Sequence, residues 1–351
     1  MLPERLARLT RQALTLLIGL ASAFAAYRLG MPLPWMLGAM LGTTLAAMSG
    51  LPVDSPASLR PVVIPVIGVL LGSSLSLEVL RGMLDWLPSM LLLPVFLTTA
   101  AALCYLIYRR IGAYDRVTAY FSAVPGGLNE MILFGIAYGG DERRIALAHG
   151  VRVLLSVSFI GLVYGLVLGV SSTGSGRPWT ALSALTWNDL AWLSAAAALG
   201  GYVGQRFRVP AGPILVPMLL SSMAHIGGLV SVPPPTVLVI AAQVVMGSTV
   251  GARFAGVRLA HIGRDILLGV LTTAVMISCA FGFSELVHLL AGTAHSQSFL
   301  AYAPGGLSEM SLIALAMGQD VAYVSVTHIV RIVLVIIAAP LSFRLLRRGR
   351  D

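Results

Sequence analysis

The sequence predicts an all-α polytopic membrane protein built from two inverted repeats, each of about five transmembrane helices plus a re-entrant Pro-Gly-Gly helical hairpin. Three observations lead there. The 351 residues are 57% hydrophobic and only 11% charged, with a mean hydropathy of +0.89, outside the range of soluble domains and typical of multi-span helical chains. The stretch Tyr120–Arg152 recurs as Phe299–Arg331, pairing Pro125 with Pro304, Glu130 with Glu309, Asp141 with Asp320, His149 with His328 and Arg152 with Arg331, without a gap. Finally, the distribution of the arginines favours one of two competing topologies.

Composition narrows the class further. The 37 glycines and 19 prolines suit membrane helices, which tolerate both. All 23 basic residues are arginine, in short clusters between apolar runs. They read as topology signals and not as a nucleic-acid surface, despite a net charge of +9. Cys104 and Cys279 lie in separate apolar runs and read as buried free thiols. Arg5, Arg8 and Arg11, an apolar stretch and Ala21-Ser22-Ala23 imitate a signal peptide. A counterpart around Trp192–Arg206 makes this stretch the first helix of a repeat.

Apolar segments in the first half cover roughly 12–28, 32–50, 62–77, 86–108, 117–138 and 143–170. Pro32 opens the second of these, where its missing N–H is harmless. Residues 171–188 form a polar linker, read as non-cytoplasmic, which divides repeat 1 (1–170) from repeat 2 (189–351). The second half repeats the order at 190–205, 210–230, 236–252, 266–290, 298–318 and 321–343. Weaker echoes agree: Met31-Pro32 with Val209-Pro210, and Leu71-Gly72-Ser73 with Met246-Gly247-Ser248.

Two topologies compete. If the motif segment crosses the bilayer, the halves are parallel; if it enters and returns on one side, they are inverted. Arg152 and Arg331 lie within apolar helices and are set aside. The inverted arrangement leaves only Arg28, Arg81 and Arg177 outside and puts the other 18 arginines inside, whereas the parallel one gives 12 inside and nine outside. The positive-inside rule selects inversion, with both termini cytoplasmic.

Lengths agree with a hairpin. Gly127 to Gly139 makes about 18 Å of helix, near the middle of a ~30 Å hydrocarbon core. The leg before the break, from about Val117 to Val124, is shorter and is expected to be frayed or tilted. Pro125-Gly126-Gly127 and Pro304-Gly305-Gly306 suit the tips, where proline stops a helix and glycine permits a tight turn. Asn129 and Ser308 are candidate caps of the ascending legs, and Asp141 and Asp320 are N-caps of the helices that follow.

Glu130 lies eleven residues before Asp141, and Arg152 eleven after it; Glu309, Asp320 and Arg331 repeat the spacing. The arithmetic puts a Glu–Arg pair at one depth in each half, either a structural clamp or a site for substrate or protons. His149 and His328 precede the arginines by three residues, on the same helix face. The helix dipole at each tip favours an anionic group. Tyr120, Phe121 and Tyr302 read as packing residues. No phosphate loop, nucleophile elbow or HExxH is present, and the six histidines show no metal spacing.

The duplicated PGGL[NS]EM segment with its trailing His-x-x-Arg resembles the AbrB duplication family of bacterial integral membrane proteins, over both halves of the chain. Members carry labels such as ammonia monooxygenase and AbrB-type regulator. The resemblance implies the fold and a multi-pass localisation in the bacterial inner membrane, and it supplies no substrate. The expected function is secondary transport or export of a small anionic or zwitterionic organic solute at the midplane, between the two tips. Two alternatives stand beside it: a membrane sensor acting on gene expression through a partner, and, more weakly, a membrane monooxygenase. No enzyme activity, cofactor, metal or nucleic acid is expected. The expected partners are the lipid bilayer, the solute, H+ or Na+ as coupling ion, and a second copy in a dimer.

Overall fold

The computed structural model describes residues 2–31, 33–77, 79, 82–168, 179–207, 211–256 and 259–348. Pro32, Val209, Pro210, most of the polar linker and Arg81, Arg177, Arg208, Arg258 and Arg350 lie outside the described residues, as do the side chains of Asn129, Arg347 and Arg348. Among the described residues there are no strands. The first half comprises α1 (Leu2–Arg28), α2 (Pro34–Met48), α3 (Arg60–Gly72), α4 (Leu87–Leu106), α5 (Arg116–Ala123), α6 (Leu128–Ala137) and α7 (Glu142–Leu168). The second comprises α8 (Trp187–Arg206), α9 (Gly212–Ile226), α10 (Thr236–Gly251), α11 (Leu259–Ala291), α12 (His295–Tyr302), α13 (Leu307–Ala316) and α14 (Val321–Arg348).

The backbone repeats as closely as the sequence. Helices α12 and α13 begin and end 179 residues after α5 and α6. Left-handed residues recur at matching places, Leu33 with Ala211 and Gly50 with Gly228 one residue short of that offset, Ala113 with Gly292 and Gly139 with Gly318 at it. Leu33 and Ala211 each take positive φ just before a helix that starts with proline at its first or second position. A non-glycine residue rarely adopts that conformation, so matched instances mark a shared turn and not chance.

Among the described residues, six segments are long and apolar enough to cross a bilayer: Glu4–Arg28, Gly82–Ile111, Glu142–Tyr164, Thr236–Phe254, Gly263–Ala291 and Val321–Arg344. With apolar side chains such as Leu91, Phe159, Phe281 and Leu289 exposed on several of them, this is a multi-pass helical membrane protein. Helices α2, α3 and α9 have 13 to 15 residues, about 20–23 Å of rise.

The chain forms two compact units, and each draws on both sequence halves. The first contains Met1–Gly82, Val157–Val257 and Ser311–Ala322. Here α1 packs on α2 and α8 on α9, α3 on α9 and α10 on α2, α3 on α8 and α10 on α1, and α3 on α10. Exchanging the two copies maps this set onto itself, as an approximate two-fold requires. Close approach comes from small residues: a β-carbon on Gly72 would meet the Met218 carbonyl, and one on Gly247 the Met36 carbonyl. At the start of α8, Thr186 and Asp189 form a capping box. The Thr186 hydroxyl holds the Asp189 carboxyl below the usual carboxylate range.

The second unit contains Met83–Ser156, Arg258–Met310 and Tyr323–Asp351. Its long helices α4 and α11 pack together, with α5 on α4 and α12 on α11. Cys104 is buried in α4 and Cys279 half-buried in α11, both as free thiols. Both Pro-Gly-Gly breaks, both glutamates and both His-x-x-Arg pairs belong to this unit.

Candidate functional site: two broken helices and their braces

Helix α5 starts where Asp115 accepts hydrogen bonds from the N–H groups of Val117 and Thr118, each at 2.9 Å. It is a regular, largely buried helix and not a frayed leg. It stops at Ala123, and α6 begins after Gly127. The two legs fold back on one another. The Asp141 N–H, beyond the end of α6, donates to Thr118 Oγ1 at the start of α5 (2.8 Å), and the rings of Phe121 and Tyr138 stack at 5.8 Å. Residues 124–127 are therefore the tip of a helical hairpin.

A break of this kind strands carbonyl groups. In a continuous helix the Phe121 carbonyl would accept from residue 125, but Pro125 has no N–H to give. His149 Nε2 supplies the missing donor at 2.8 Å. A carbonyl only accepts, so Nε2 carries the proton and Nδ1 presents a lone pair. An Arg152 Nη2–H donates to that lone pair, while Arg152 Nη1 approaches the Val124 carbonyl at 3.4 Å and Met276 Sδ at 3.9 Å.

The second copy repeats the brace with one change. Arg331 Nη1 donates to the Ala303 carbonyl and Nη2 to the Gly305 carbonyl, both at 2.7 Å. Ala303 corresponds to Val124, so each arginine serves the residue just before its proline. His328, however, turns Nδ1 to the Val324 carbonyl within its own helix (3.0 Å). Its Nε2 is buried without a hydrogen-bond partner, and so is Arg331 Nε.

The predicted Glu–Arg pairs do not form: among the described residues no ion pair involves Glu130, Glu309, Arg152 or Arg331. Equal distance from Asp141 gave equal depth, but it ignored the stranded carbonyls, which claim the guanidiniums instead. The glutamates fold back over the glycine that ends the break. A β-carbon on Gly127 would collide with Glu130 Oε2, and one on Gly306 with Glu309 Oε2. The first glycines meet methionine: Gly305 faces Met310, and Gly126 faces Met131 together with Val335, which lies nearer. Gly-Gly-Leu-x-Glu-Met is thus a single packing pattern, in which each glycine makes room for a side chain in the following turn.

Ser308 is not the cap of its helix. It sits in the first turn and donates through Oγ to Glu309 Oε2 at 2.9 Å. The backbone of Asn129 likewise lies inside α6, whose N-cap is Gly127. Asp141 and Asp320 do act as caps, accepting from Arg144 N–H at 3.1 Å and Ala322 N–H at 2.9 Å. The aromatics pack: Tyr120 hydrogen-bonds Ser342 and the Ala339 carbonyl, and Tyr302 donates to the Ser89 carbonyl at 2.6 Å and packs edge-on to Phe96.

A cluster at the open end of the first hairpin escaped sequence reasoning. Arg144 Nε lies 3.7 Å from Asp141 and 3.8 Å from Asp265, with its guanidinium over the Tyr114 ring. Tyr114 also donates to Asp265 at 2.9 Å. Burial pushes the Tyr114 phenol up, and the Asp265 bond adds to the shift. Only the aspartate caps carried a sequence signal; Asp265 is 121 residues from Arg144.

Among the described residues no group of three or more His, Cys, Asp or Glu is placed to hold a metal ion. No solved structure matches the chain. It is 29% identical to "Uncharacterized protein YhjN" of Bacillus subtilis (strain 168) over 80% of this chain and 77% of that one. It is 26% identical to "Putative regulator AbrB" of Escherichia coli (strain K12) over 88% and 89%. The family model described as "Transition state regulatory protein AbrB" matches residues 35–347, nearly the whole chain, which therefore belongs to the AbrB family.

Proposed function

We propose that the protein is a secondary transporter or exporter of a small anionic or zwitterionic organic solute, and not an enzyme. The observation that carries this reading is the pair of helix breaks, Val124–Gly127 and Ala303–Gly306, each held open by a buried arginine on the helix that follows its hairpin. Such breaks set backbone without helical pairing and a helix N-terminus at membrane depth. That is tolerated where the backbone is buried or lines a cavity, and it recurs at the substrate sites of transporters with internal repeats.

In this reading each half crosses the membrane five times, with α1–α4 and α7 matched by α8–α11 and α14. The hairpins are re-entrant from opposite faces, and both termini are cytoplasmic in the bacterial inner membrane. The solute sits at the tips, with Glu130, Glu309 and His328 as sites for H+ or Na+. The protein works as a dimer without nucleic acid. The test is flux into proteoliposomes: Glu130→Gln or Glu309→Gln abolishes or uncouples it in folded protein. Wild-type flux with normal coupling in both variants would overturn the assignment.

A second reading is favoured by the name of the Escherichia coli relative: a membrane sensor that binds a ligand and signals through a soluble partner by its arginine-rich tail, Arg344–Arg350. It requires ligand binding without net flux, and loss of signalling when the tail is removed.

A further inference from the structure

The two copies of the His-x-x-Arg pair look equivalent in sequence, but their hydrogen bonding differs. In the first copy His149 is used at both ring nitrogens, and Arg152 is engaged with His149, the Val124 carbonyl and Met276. In the second, Arg331 clasps the Ala303 and Gly305 carbonyls with the end of its fork, and its Nε–H is left over. This is the side edge, by which a guanidinium takes an oxyanion through Nε–H and the neighbouring Nη–H. His328 adds an unpartnered Nε2. Because its Nδ1–H donates to Val324, the neutral ring offers an acceptor there.

Both groups are deeply buried, Arg331 at 5% exposure and His328 at 0%. They lie three residues apart on one face of α14, beside the tip that leads into the N-terminus of α13. Neither Arg331 nor Arg152 has a carboxylate partner among the described residues. Buried guanidiniums without a carboxylate are costly at membrane depth and favour an anion beside them.

We propose a division of labour, resting on the transport reading: His149 and Arg152 are a strut for the first tip, while Arg331 and His328 form the ligand site. Arg331 takes the oxyanion of the solute, carboxylate or phosphate. His328 accepts from a hydroxyl or ammonium group next to it.

The test is thermal unfolding of the purified full chain in detergent, titrated with sodium lactate or inorganic phosphate against sodium chloride at equal ionic strength. A saturating oxyanion raises the wild-type unfolding temperature by about 3 °C or more over chloride. A response to lactate alone identifies a carboxylate site, and to phosphate alone a phosphate site. Arg331→Lys and His328→Gln remove the increment or shift its midpoint by tenfold or more. Arg152→Lys and His149→Gln lower the baseline but keep the increment. If Arg331→Lys does not fold, His328→Gln decides. No increment with either anion, or equal loss in both copies, overturns the division. An intact increment without flux in proteoliposomes overturns transport and leaves the site standing. Flux in proteoliposomes without an increment from either anion does the reverse.

Discussion

His149 Nε2 donates to the carbonyl of Phe121 across 28 residues of sequence, and it does so because Pro125 cannot. The relationship is local chemistry settled at long range: proline deletes one N–H, and a histidine on the next long helix replaces it. A buried carbonyl left without a donor costs about 1–3 kcal/mol. His149→Ala is therefore expected to lower unfolding stability by that order. Pro125→Ala, which restores an N–H at the stranded position, should recover part of the loss. Denaturation of the single and double variants reads the coupling directly, and additive losses would show that the two residues act independently.

The carboxylates give a separate expectation. Gly127→Ala and Gly306→Ala place a methyl group where Glu130 and Glu309 rest. The obstructing atom is the far end of a flexible side chain, so the Glu130 carboxylate swings aside at a stability cost below about 1 kcal/mol. Displacing Glu309 costs about 1 kcal/mol more, because it loses the Ser308 hydrogen bond. Transport should suffer much more than folding, with each alanine variant resembling the matching Glu→Gln. Gly305→Ala is different, because its neighbour Met310 is itself fully buried, and it should cost stability as well. Parallel flux and unfolding measurements separate the two glycines of each tip.

Much of this arrangement was legible in the sequence, for identifiable reasons. Helix order follows from apolar runs and their breaks, so α5, α6, α12 and α13 fall where the repeated motif puts them. The caps at Asp141 and Asp320 follow from a local rule. The partners of Arg152 and Arg331 did not follow, because counting residues along two legs fixes depth but not which acceptor is short of a donor. The missing clue was available: a proline in a helix names the stranded carbonyl four residues back. The difference between His149 and His328 had no signal at all, since it depends on ring orientation within one sequence pattern.

The copies also differ in ways that predict stabilising exchanges. Ala113 holds φ +53° where its counterpart Gly292 holds +65°, and a non-glycine residue there carries strain of about 1 kcal/mol. Conversely, Asp115 caps α5 with its side chain, while α12 begins at Ala294 without a side-chain cap. Each copy thus has the better residue at one of two positions. Ala113→Gly and Ala294→Asp are each expected to raise stability by about 0.5–1 kcal/mol. Thermal unfolding in detergent checks both, and a fall in either case would mean that the paired turns are not equivalent.

Topology is the expectation on which the transport reading depends most, and Arg143 and Arg253 decide it. Arg143 lies in the first turn of α7, just after the first hairpin, and Arg253 in the short turn that follows α10. If the hairpins are re-entrant and the halves inverted, both positions face the cytoplasm with the termini. If each hairpin is instead a broken crossing, both move to the other face while Arg5 and Arg344 stay inside. Single cysteines at Arg143 and Arg253, introduced after replacing Cys104 and Cys279 by serine, should react with a membrane-impermeant thiol reagent only in inside-out vesicles. Labelling from the outer face at both sites would exclude inversion. The second outcome would keep the two-fold packing of α1–α3 on α8–α10, because that symmetry holds for parallel and inverted halves alike. What it would remove is the approach of the two tips from opposite faces, and with it the alternating access that the proposed transport requires.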